Sequence, residues 1–122
     1  MTEVPIEGAR GTVVLHDGVL HVQWIPGLAI SEDAAHAVMA AVNQLSSGRP
    51  YPMLVDMAES ASMSRGARRV FALPSSVARV ALLGSSPLDR AMANFFLSLN
   101  APAAPTRYFT SPEEAMTWLR NP

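Results

Sequence analysis

The residues best placed to do chemistry lie between Pro52 and Arg69, in the stretch PMLVDMAESASMSRGARR. Asp56 closes a short apolar run, a loop of small residues follows, and Ser64 then precedes Arg65, Arg68 and Arg69. A carboxylate at the end of an apolar strand has to be hydrogen-bonded or paired. The plain role for Asp56 is therefore to hold the loop amides of Ala58 to Ser60. A catalytic base would need a histidine or a second carboxylate at the same strand end, and none is predicted there. Ser64 suits the cap of a helix, where its hydroxyl accepts from a free backbone N–H. The same position, a helix N-terminus with Arg65 beside it, suits an anion and makes Ser64 a candidate phosphorylation site. Arg65, Arg68 and Arg69 form a basic face one turn long. That face is either simply solvated or a contact for an acidic or phosphorylated partner.

Other chemistry-bearing residues do not assemble into a constellation. His16 and His21 flank a turn and His36 lies on a separate helix, without the spacing of a metal site. Gly84-Ser85-Ser86-Pro87 has one glycine and no Gly-Lys-Ser/Thr ending, so it is not a phosphate loop. Ser86 is instead the cap of another helix. No Gly-Xaa-Ser-Xaa-Gly elbow is present. We expect no catalytic residue, no metal and no cofactor.

Composition narrows the class further. A chain of 122 residues with 49% hydrophobic and 16% charged residues is long and apolar enough to bury a core. Cysteine is absent, which removes disulfides, thiolate nucleophiles and zinc–thiolate sites. No apolar run approaches the roughly 20 residues of a membrane span, and the polar opening MTEVPIEGARG has no signal core, so a cytoplasmic protein is expected. Net charge is −1, and no aromatic platform adjoins the arginines, which argues against nucleic acid. The charge is uneven: residues 1–64 hold seven acids and two arginines, residues 65–122 seven arginines and three acids.

These residues need elements to position them. Residues 1–11 read as a flexible N-terminal arm, and residues 12–122 as a single domain. Thr12–His16 and Val19–Trp24 are strands joined by an Asp17-Gly18 hairpin turn. Ser31 opens a helix with Ala34, Val38, Ala41, Val42 and Leu45 along one stripe, ending near Ser47-Gly48. Met53–Met57 is a buried strand and Ala58–Met63 a loop. Ser64 caps a helix that Pro74 ends, and Val77–Leu83 is the next strand. Ser86-Pro87 starts a helix burying Leu88, Met92, Phe95, Phe96 and Leu99. Phe95 and Phe96 are neighbours and cannot both face one way, so one is open to partial exposure, another subunit or an apolar ligand. Thr106–Phe109 is a strand, and Ser111-Pro112-Glu113-Glu114 is a capping box for the last helix. The order β-β-α-β-α-β-α-β-α implies a mostly parallel sheet with an antiparallel N-terminal hairpin. Ligands and partners of such sheets gather at the carboxyl ends of the strands. The expected contact surface is Met57 to Arg69 with Ser85 to Leu88.

The strand PMLVDM with its following loop and Ser64-Arg65, then VARVALLGSSPLDRAMANFF, then PTRYFTSPEEAMTWL, resemble the SpoIIAA-like fold. This fold includes the STAS domains of anti-sigma-factor antagonists and a relative shared with lipid-binding SEC14-type proteins. The resemblance covers about Thr12 to Arg120. In kinase-switched antagonists the loop after the central strand reads Asp-Ser-Ser-Gly or Asp-Ser-Xaa-Gly, with the serine phosphorylated. Laying Asp56 on the acidic residue of that strand puts Ser64 at this serine. Met63 then stands where an aspartate is usual, and Arg65-Gly66 follow. The resemblance implies a non-enzymatic regulatory module that contacts another protein or a second copy of itself. The SEC14-related alternative implies a small apolar ligand or lipid.

Overall fold

The computed structural model describes residues 2–8, 10–57, 62–84, 90, 91, 94 and 104–121. Asp17 (φ 51°) and Gly18 (φ 76°) both take positive φ, the pairing a tight hairpin turn demands. They join β2 (Gly11–His16) to β3 (Val19–Trp24) in an antiparallel register that sets Val13 against Val22 and His16 against Val19. The expected arm at residues 1–11 requires correction. Thr2–Ile6 is a strand, β1, antiparallel to β2. Val4 and Ile6 alternate onto the apolar side of the sheet, and Ile6 is 1% exposed. Pro5 fits because β1 is an edge strand, where a missing N–H is tolerated.

Two short strands follow in the connections: β4 (Ala29–Ile30) after β3, and β6 (Ser62–Met63) within the segment read as a loop. Helix α1 (Glu32–Ser46) ends where Ser47 turns left-handed (φ 48°). Strand β5 (Met53–Asp56) is buried over its first three residues, as a strand covered on both faces must be. Helix α2 (Arg65–Ala72) stops before Pro74. Strand β7 is Val80–Leu83, starting three residues later than the apolar run. Val77 is buried all the same, packed in the core rather than paired. Strand β8 is Thr106–Phe109, and α3 is Pro112–Arg120. The expected Ser86-capped helix falls largely outside the described residues.

The main sheet has the order β1-β2-β3-β5-β7-β8, antiparallel through β3 and parallel from β3 to β8. Period-2 alternation gives it two apolar faces. Val13, Leu20, Val22, Met53, Val55 and Leu82 pack against Val38 and Val42 of α1. Val19, Leu54, Ala81 and Phe109 pack against Ala115 and Leu119 of α3. A third cluster, Ile30, Ala34, Ala35, Ala67 and Val70, binds α2 to α1. Burying a side chain such as Leu20, 0% exposed, contributes about 2 kcal/mol. Among the described residues no helix is long and apolar enough to cross a membrane.

Candidate functional site

At the carboxyl ends of the strands, the connections after β3 and β5 are zipped together. Ala29 pairs with Ser62 and Ile30 with Met63, in parallel, and the Ser64 N–H donates to the Ile30 carbonyl at 2.9 Å. The next residue of each connection is a helix cap, so Ser31 and Ser64 come side by side. Ser31 Oγ accepts from the Ala34 N–H at 3.1 Å and Ser64 Oγ from the Ala67 N–H at 3.0 Å. Both hydroxyls thus satisfy backbone donors that a helix start leaves open. Gly66 permits the close approach of the two helices: a Cβ there would collide with the Glu32 side chain. The Glu32 carboxylate lies across the first turn of α2, where the helix dipole favours negative charge. That region is already supplied with an anion by the chain itself.

The basic face divides by exposure. Arg65 and Arg69 are exposed and Arg68 is half-buried, while Ala67 and Val70 dock onto α1. Asp56 is half-buried between Gln23 of β3 and Leu83 of β7. Two residues on from Leu54, it falls on the α3 face of the sheet, whereas Ser64 and the arginines stand on the α1 side. Asp56 and Ser64 therefore share a rim but not a face. The loop amides of residues 58–60 that Asp56 is expected to hold lie outside the described residues, as do Ser86, Phe95 and Phe96.

At the opposite pole, polar side chains do the tying. Arg79 donates to the Trp118 carbonyl at 2.8 Å, with its guanidinium 4.4 Å from the centre of the Trp118 ring. Arg107 lies 5.8 Å from the same ring, and Phe109 packs 5.5 Å from it. Asp17 meets His16 Nε2 at 3.3 Å and Arg120 at 3.7 Å. The His16 and His21 rings are 6.4 Å apart. Burial lowers the pKa of His21, helped by the positive charges of His16 and Arg120 and opposed by Asp17. Sequence reasoning missed these arginine–aromatic and aspartate contacts, because no local spacing announces them. An open hollow of about 480 Å3 over α3 is lined by Glu113, Glu114, Thr117, Trp118 and Asn121. Among the described residues no cluster of metal-ligating side chains occurs.

Comparison with known proteins gives a family for the chain and one structural neighbour of the same fold. The family model described as "Domain of unknown function (DUF7793)" matches residues 13–121. No curated protein matches the chain. Among solved structures, an uncharacterized protein of the DUF3478 family with a SpoIIAA-like fold, from Shewanella loihica PV-4, aligns at TM-score 0.54. It is 15% identical, over 88% of this chain and 90% of that one. A protein with unknown function from Arthrobacter sp. FB24 is 50% identical over 90% of this chain and 99% of that one, at TM-score 0.36. The Shewanella structure, at its low identity, establishes the SpoIIAA-like fold and nothing about activity.

Proposed function

The chain belongs to the DUF7793 family of domains of unknown function, and from that premise we propose that it is a non-enzymatic, cytoplasmic interaction module that meets another protein through the outward side of α2. One observation carries this reading. The inner side of α2 is docked on α1 through Ala67 and Val70, while Arg65 and Arg69 are left in solvent at the carboxyl-end rim. A partner presenting carboxylates or phosphates fits those guanidiniums, which take such groups in bidentate fashion. A non-enzymatic reading is favoured by the separation of the reactive groups named so far, among the described residues. Ser64 Oγ is engaged as a cap, Asp56 lies on the other face, and His16 and His21 belong to the hairpin region at the far pole.

The test is recovery of binding partners by wild type and by an Arg65→Glu, Arg69→Glu variant, with native mass spectrometry on both. Loss of a partner, or loss of a homodimer, supports the reading. Equal recovery with unchanged mass removes this surface from consideration.

A further inference from the structure

Asp17, at the hairpin turn, is the one carboxylate that meets both His16 and Arg120 among the described ion pairs, and it joins the hairpin to the last turn of α3. His21 stands next to this group, with its ring 6.4 Å from that of His16. Its Nε2 is buried and has no hydrogen-bond partner among the described residues. We propose that His16, Asp17, His21 and Arg120 form an acid-sensitive latch, which holds the C-terminal end of α3 to the β2–β3 hairpin near neutral pH and loosens when His21 takes up a proton.

The charges facing His21 explain why. From β2 comes His16, from the turn Asp17, and from α3 Arg120. In its own cross-strand row stand Val14, with Glu3 of β1 beyond it, and on the other side Leu54, Ala81 and then Arg107 of β8. One row nearer the rim, on the same face, lies Asp56. The near neighbours are thus one carboxylate already shared by two bases. An imidazolium at His21 would add a positive charge beside Arg120 without a partner for its buried N–H. The rest of α3 stays anchored, because the Arg79 bond to the Trp118 carbonyl and the burial of Ala115 and Leu119 do not titrate in this range.

The direction of the pH dependence follows. In the unfolded chain His21 protonates near the ordinary imidazole value of about 6.5; in the fold its pKa is lower. Its contribution is complete above that value and is lost as pH falls from there toward the folded value. Urea unfolding from pH 7.5 to 5.0, with NMR titration of the His21 imidazole, tests the latch. For wild type the folding constant should fall below about pH 6.5, toward the limit of tenfold per pH unit for one proton, and His21→Gln should flatten that fall. Arg120→Gln, an exposed change that does not depend on His21→Gln folding, should move the His21 midpoint upward. A His21 midpoint at or above about 6.5, one unmoved by Arg120→Gln, or parallel stability curves for wild type and His21→Gln would overturn the proposal.

Discussion

The two poles of the sheet are organised by different forces. At the carboxyl-end rim, order comes from the backbone: a two-residue parallel ladder, a bond from the Ser64 N–H to the Ile30 carbonyl, and two serine caps. Its charged side chains, Arg65 and Arg69, are left in solvent. At the opposite pole, order comes from side chains reaching across long stretches of chain, Arg79 to Trp118 and Asp17 to Arg120. The difference teaches where each end can afford change. Surface charges at the rim can be exchanged without touching what holds it, whereas at the far pole one charge, that of Arg79, is part of what holds the last helix in place.

Substitutions can break or sharpen this contrast. The largest effect is expected at Gly11, which pairs with Trp24 at the rim with φ 145° and whose added Cβ would strike the Gln23 carbonyl. Gly11→Ala should destabilise by about 3 kcal/mol, read as a lower urea midpoint; a neutral result would mean that the rim backbone is not tightly set. Next, Arg79→Ala removes a charge-assisted bond to a helix C-terminal carbonyl and the stacking on Trp118, at about 2 kcal/mol. Trp118 fluorescence should report it. Ser64→Ala should cost about 1 kcal/mol as the loss of a cap, and Ser31→Ala a similar amount. The smallest effect belongs to Asp17→Asn near neutral pH. Its carboxylate is 66% exposed, so the loss should stay below about 0.5 kcal/mol and shrink further in salt. If Ser64→Ala proved as mild as Asp17→Asn, the claim that backbone capping orders the rim would fail.

Much of this was legible along the chain. Ser31, Ser64 and Ser111 all cap helices as their positions suggest, because capping needs only a hydroxyl and an N–H three residues on. Asp17-Gly18 turns as expected, since the required φ values depend on those two residues alone. Strand β1 was hidden because Thr2–Ile6 offers only Val4 and Ile6 as alternating apolar residues and carries Pro5; its identity depends on having β2 to pair with. Asp56 was rightly placed at a strand end, but the face it takes follows from sheet register and from which helix covers which side.

The sequence by itself determined the local elements: the hairpin, three capped helices, and the buried strand Met53–Asp56, each governed by residues within a few positions of one another. Only the tertiary structure decided that Ile30 meets Met63, that Asp56 and Ser64 part to opposite faces, and that Asp17 reaches Arg120. The physical reason is that such contacts form between segments distant in the chain. They exist only once the sheet has assembled and its two faces have been covered.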